Sequence, residues 1–127
     1  MLNLSSPMRL TILATLLAAA LPAAAQQRAT DETFTAVALA DALSGQTAEF
    51  FDTSLASYAA DGSYAYRYRP EEPPFIGTWE ATEDSQVCVV FNNGFSRCDT
   101  IVQAGERLTM IVENGDRYPI RTLTPIE

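Results

Sequence analysis

From Phe34 to Leu43 the apolar residues recur at helical spacing, with Phe34, Val37, Ala38 and Leu43 on one face. Thr30 or Asp31 stands where an N-cap belongs. Asp31 and Glu32 place negative charge in the first turn, and Ser44-Gly45 supplies the stop. This predicts a helix of about three turns whose apolar face must pack on something. After Gly45 the period drops to two. Residues 46–51 and, less cleanly, 53–60 have strand character, and Asp61-Gly62 is a hairpin turn. Residues 63–69 then alternate, with Tyr64, Tyr66 and Tyr68 on one face and Ala65, Arg67 and Arg69 on the other. Pro70-Glu71-Glu72-Pro73-Pro74 is a loop, because prolines at that density cannot supply ladder donors. Residues 75–81 resume as a strand carrying Gly77 and Trp79 on one side. Residues 107–113 and 116–123 make two more, divided by Asn114-Gly115, and Pro119 suggests an edge position for the last.

The most tightly specified stretch is residues 86–102, two strands joined by Asn92-Asn93-Gly94. A three-residue hairpin loop ends on a residue at positive φ, and Gly94 occupies that place without a Cβ clash. The loop fixes the register: Phe91 faces Phe95, Val90 faces Ser96, Val89 faces Arg97, and Cys88 faces Cys98. Alternation makes the cysteines a non-hydrogen-bonded pair, about 4.5 Å apart at Cα and close enough for a disulfide.

Counted together, about seven or eight short strands with hairpin-length links predict a mainly β chain. The expected fold is a small antiparallel meander, closed into a barrel or left as a curled sheet, with one N-terminal helix plugging or covering an end. An open sheet with the helix on one face is the second choice.

Residues 1–25 change the picture of where this domain works. Arg9, an apolar run through Leu21 and Pro22-Ala23-Ala24-Ala25 match a secretory signal peptide cut before Gln26, with Met8 a more ordinary start than Met1. The run of about 12–16 apolar residues is short of the roughly 20 that a bilayer span requires. No cysteine lies near the cut to carry a lipid, so no stable membrane anchor is expected after cleavage. Residues 26–127 then form a single exported domain, periplasmic or secreted, in which Cys88 and Cys98 are expected to be oxidised. That part holds seven arginines, no lysine and all 16 carboxylates, leaving a net charge of −9. Such a chain is a poor match for nucleic acid or an anionic membrane surface, and a better one for a basic protein partner.

Candidate chemistry is sparse. There is no histidine, which removes Ser-His-Asp and Cys-His nucleophile systems and the common zinc sites. Neither a nucleophile elbow, a phosphate-cradling glycine loop nor a calcium-loop pattern occurs. The carboxylate pairs Glu71/Glu72 and Glu83/Asp84 fall in turns, where solvation leaves them ordinary. No enzyme activity, metal or cofactor is expected. The tyrosine row remains. With Tyr58 across the Asp61-Gly62 turn, Tyr64, Tyr66 and Tyr68 read either as a half-buried face of cross-strand aromatic pairs or as the wall of a small-ligand site. Trp79 is its fourth speculative member, and equally a core anchor that Gly77 admits against the backbone. Arg67 and Arg69 offer an anion contact or simple pairing with neighbouring carboxylates.

The order of parts also carries a resemblance. A short helix ending Leu43-Ser44-Gly45-Gln46-Thr47, the Asp61-Gly62 turn, Gly77-Thr78-Trp79, Val87-Cys88 and Arg97-Cys98 together resemble a group of short secreted proteins of Gram-negative bacteria of unknown function. The resemblance spans most of residues 35–120 and implies an exported β-rich domain with one disulfide, without an activity. Periplasmic lysozyme inhibitors are similar in architecture, but their inhibitory motif has no match here. The expectation is an exported, non-catalytic binding module for a small apolar or aromatic ligand. The alternative is an acidic protein-binding or inhibitor-type module that uses the negative charge and edge strands such as residues 116–123.

Overall fold

A computed structural model describes residues 27–127. The signal-peptide reading of residues 1–25 and the cut before Gln26 lie outside the described residues. The chain forms β1 (Asp31–Glu32), α1 (Ala36–Leu43), β2 (Gln46–Phe50), β3 (Leu55–Tyr58), β4 (Ser63–Arg67), β5 (Phe75–Ala81), β6 (Gln86–Phe91), β7 (Ser96–Ala104), β8 (Arg107–Ile111) and β9 (Arg117–Pro125). Strands β2 to β9 pair antiparallel in chain order, and β9 returns to β2, so the meander closes into an eight-stranded barrel. Closure gives every strand of the barrel a neighbour on each side.

Residue size makes that closure possible. Inward positions alternate small and large: Ala48, Ala56 and Gly77 are interleaved with Phe50, Tyr58 and Tyr64. Gly77 is required by the barrel wall itself. A Cβ there would lie 2.3 Å from the Val90 carbonyl oxygen and 2.9 Å from the Phe91 Cα. Its role is therefore the close approach of β5 to the β6 main chain, where the sequence suggested room for the Trp79 indole.

The β6–β7 hairpin has the expected register. Phe91 N–H donates to the Phe95 carbonyl at 2.7 Å, Gly94 sits at φ +86°, and Cys88 pairs with Cys98. The two are joined by a disulfide with Cα atoms 4.0 Å apart.

Two expectations need correction. The helix starts later than its acidic residues suggested, with Thr35 as N-cap accepting from Ala38 N–H at 3.2 Å. Asp31 and Glu32 instead form β1 against Ala104 and Gln103 of β7, and Asp31 is held by Arg117 at 2.6 and 3.0 Å. That long-range ion pair outweighs local helix preference. The inward face is therefore rotated from the expected one: Leu43 is buried and Phe34 packs on the core as expected, but Leu39 takes the place of Val37, which is 70% exposed. The second correction concerns residues 116–123. β9 is not an edge strand of the sheet: its first part, Arg117 to Pro119, pairs with β8, and the part from Ile120 onward pairs with β2. Pro119 is tolerated because β2 pairing stops at Phe50–Ile120, one residue short of it.

Helix α1 and the segment before it close one end of the barrel. Leu39 and Leu43 join Ala48, Ala56, Tyr58, Val87 and Ile101 in one core. Ser85, buried and at φ +60°, locks this end: its hydroxyl accepts from Phe34 N–H at 2.9 Å and donates to the Ile101 carbonyl. Gly45, at φ +76°, donates its N–H to the Tyr58 carbonyl at 2.7 Å and accepts from Ile126 N–H at 2.9 Å. The chain can turn out of the helix there because glycine carries no Cβ.

Candidate functional site

Among the described residues the opposite end has no such plug. The β2–β3, β4–β5, β6–β7 and β8–β9 connections surround a cavity of about 690 Å³. A volume of that order suits a small organic molecule. Tyr64, Tyr66, Tyr68, Phe75 and Phe91 provide its aromatic wall. Alternation brings them together: Tyr64 pairs with Gly77 and Tyr66 with Phe75 across β4–β5, while Phe91 pairs with Gly77 on the other side. The proline-rich loop then returns Tyr68 against Phe75.

The rings form a continuous series. From the barrel interior outward, Trp79–Tyr58, Tyr58–Tyr64, Tyr64–Phe91, Phe91–Phe75, Phe75–Tyr68 and Tyr68–Tyr66 have centroids 5.4, 5.5, 5.9, 6.5, 5.8 and 5.0 Å apart. Most of these contacts are edge-to-face, the arrangement the ring quadrupole favours. Between Tyr58 and Tyr68 exposure rises, from 2% at Tyr58 and 8% at Tyr64 to 57% at Tyr68, with Trp79 and Tyr66 half-buried at the two ends of the series. The inner rings are core and the outer ones are surface.

Three of the four expected site residues, Tyr64, Tyr66 and Tyr68, therefore meet at the cavity. Trp79 does not line it. Its indole packs edge-on to Tyr58, and its Nε1–H donates to the Ala59 carbonyl at 2.9 Å, so its polar group is satisfied within the fold. Arg67 points away from the cavity and donates to the Glu72 carbonyl at 2.6 Å, bracing the proline loop.

The polar part of the mouth comes from residues that the sequence reading did not single out. Arg97 and Asp99 also line the cavity. The Arg97 Nε and Nη2 groups donate to the two Asp99 oxygens at 2.8 and 2.9 Å, a bidentate pair whose carboxylate is almost buried. Hydrogen bonding to Asp99 raises the Arg97 pKa further above its usual value, against the opposing effect of burial. Parity was the available signal. Val89 faces Arg97 and Val87 faces Asp99, and both valines point into the core.

Asp52 stands at the rim, accepting from the Ser54 amide at 2.9 Å and the Ser54 hydroxyl at 2.6 Å. Burial and neighbouring charge distinguish the tyrosines. Desolvation raises the Tyr58 and Tyr64 pKa values well above that of a free phenol, and nearby Asp99 adds to both shifts. Half-buried Tyr66 is also shifted upward by desolvation, and its hydrogen bond to Ser54 works the other way. These phenols are neutral hydrogen-bonding groups at neutral pH.

Among the described residues, no group of three or more His, Cys, Asp or Glu side chains is placed to hold a metal ion. No helix among them is long and apolar enough to cross a membrane. The disulfide is the feature that points to an oxidising compartment. No protein-family model matches the chain, and neither the curated proteins nor the solved structures contain a match.

Proposed function

We propose that the protein is an exported, non-catalytic binding module that takes a small apolar or aromatic ligand into the open mouth of its barrel. The observation that carries this reading is the cavity of about 690 Å³ walled by Tyr64, Tyr66, Tyr68, Phe75 and Phe91. Rings at the wall offer large apolar area at low entropic cost, and the phenolic hydroxyls orient a polar group on the ligand. The Cys88–Cys98 bridge holds the hairpin that carries Phe91 and Arg97. The disulfide and the signal-like sequence of residues 1–25 support a periplasmic or secreted localisation.

Fluorescence titration with the neutral apolar probe N-phenyl-1-naphthylamine tests the reading. Enhancement that saturates at one probe per chain is expected, and it should weaken at least about tenfold in Tyr66→Ala. Unsaturable or absent enhancement removes the mouth as a ligand site.

A second reading, an acidic protein-binding or inhibitor-type module, draws on the excess of 16 carboxylates over eight arginines, with the exposed Ile76 and Val90 as apolar contacts beside them. Binding to a basic partner should fade as salt rises, whereas apolar uptake at the mouth should hardly change.

A further inference from the structure

The charges around the mouth narrow the ligand class. Four charged side chains line the cavity: Asp52, Asp99, Glu113 and Arg97. The bidentate contact with Asp99 occupies the Nε/Nη2 edge of the guanidinium and offsets its charge locally. Asp52 and Glu113 remain. Among the described residues neither has an arginine partner, since the ion pairs join Arg97 to Asp99, Arg117 to Asp31 and Arg121 to Glu49. The mouth is thus left with two uncompensated carboxylates in a chain of net charge −8.

The rings add to that potential. An aromatic face carries negative quadrupole density and attracts a cation within about 6 Å of the centroid. Phe75 stands at 89° to Tyr68 and 80° to Phe91, while Tyr66 stands at 86° to Tyr68. Rings set at right angles surround a guest from several sides, whereas parallel rings would stack on one another. A flat neutral aromatic guest would use the ring faces and leave the carboxylates without a role. An anionic guest would meet Asp52 and Glu113, and would find the Arg97 charge already offset by Asp99.

From these observations we infer that the mouth selects small organic cations, an ammonium carried on an aryl or alkyl body, with the apolar part against Tyr64 and Phe91 and the charge among the outer rings and the Asp52 and Glu113 carboxylates. This rests on the binding reading above and adds the sign of the ligand's charge.

Competition against bound N-phenyl-1-naphthylamine separates the two claims. Three competitors of similar bulk are used: cationic phenyltrimethylammonium, its neutral isostere tert-butylbenzene and anionic phenylphosphonate. Phenyltrimethylammonium should displace the probe at a concentration at least about fivefold lower than tert-butylbenzene, in keeping with a cation–aromatic contact. Phenylphosphonate should be the weakest of the three. The cation's advantage should shrink as ionic strength rises. The double variant Asp52→Asn/Glu113→Gln should lose most of that advantage and still bind the neutral probe. Both side chains are exposed, and the amide oxygen of the first substitution still accepts from Ser54. Equal displacement by cation and neutral isostere, or preferred displacement by phenylphosphonate, overturns the cation inference and leaves the mouth as an apolar site. Failure of both the probe and phenyltrimethylammonium to bind, the latter followed directly by calorimetry, overturns both.

Discussion

The two ends of the barrel are built from the same eight strands and reach opposite outcomes. At one end α1 inserts Leu39 and Leu43 into the interior, and Ser85 and Gly45 tie helix, β7 and C-terminus together through buried or main-chain hydrogen bonds. The side chains that fill this end have apolar or hydrogen-bonded neighbours. At the other end the inward positions carry Tyr66, Phe75 and Phe91 with an Arg97–Asp99 pair, and no helix among the described residues covers them. An inward-facing charge pair contributes little to stability compared with apolar residues of similar volume in its place. The contrast teaches that the closed end is organised for cohesion, whereas the mouth retains aromatic and charged groups that a core alone would not require.

The comparison can be broken at its stable end first. Leu43→Ala, which empties a fully buried position beneath the helix, should cost about 2–5 kcal/mol in urea unfolding. If probe affinity at the mouth is retained in the folded fraction of this variant, the two ends are independent. Loss of affinity in step with the loss of stability would merge them.

Alkaline titration tests the inner rings. Folded-state pKa values of Tyr58 and Tyr64 lie above the unfolded value of about 10, so both phenols favour the fold while they stay neutral. Their contribution is complete below about pH 10 and is lost as pH rises through the gap toward the folded values, at roughly 1 kcal/mol per tyrosine per pH unit. Unfolding free energy should thus fall by about 2 kcal/mol between pH 10 and 11. A stability profile flat across that range would place these rings in contact with solvent.

Much of this arrangement is legible in the sequence, and the parts that are not have a common cause. The Cys88–Cys98 register can be read because Gly94 fixes a local turn and alternation does the rest. The tyrosine row can be read because Tyr64, Tyr66 and Tyr68 share one parity. The start of the helix is misplaced by local reasoning because the Asp31–Arg117 pair spans 86 residues and no local pattern announces it. Trp79 shares the inward parity of Gly77, but alternation gives the face and not the height along the barrel, and its height places it beside Tyr58. Asp52 and Glu113 reach the mouth only because β9 closes on β2, which brings together turns that are distant in the chain. Arg97 and Asp99 were within reach of the same parity argument that placed Val87 and Val89.

Removing the disulfide acts on the mouth hairpin. Replacing both cysteines by serine should cost about 2–3 kcal/mol, the chain-entropy value for a loop closed by residues ten apart. It should also weaken probe binding, because Phe91 and Arg97 sit on the two arms of that hairpin. Unchanged affinity after loss of the bridge would show that the strand pairing alone holds the site.

The smallest effect on stability should come from Tyr68→Ala. This side chain is mostly exposed, and its removal should change unfolding free energy by less than about 1 kcal/mol. Its effect on probe affinity should exceed that of Leu43→Ala. A variant that unfolds easily and binds normally would identify Tyr68 as a structural ring.

Amide NMR mapping during titration with N-phenyl-1-naphthylamine tests the central claim, that the two ends have different purposes, most directly. The account expects the largest shift changes in the connections around the mouth, at Asp52–Ser54, Tyr66–Phe75, Phe91–Asp99 and Val112–Tyr118, with α1 and Ser85 unmoved. Changes centred on α1 and the β7–β8 turn, or an unmoved mouth at saturating probe, would contradict it.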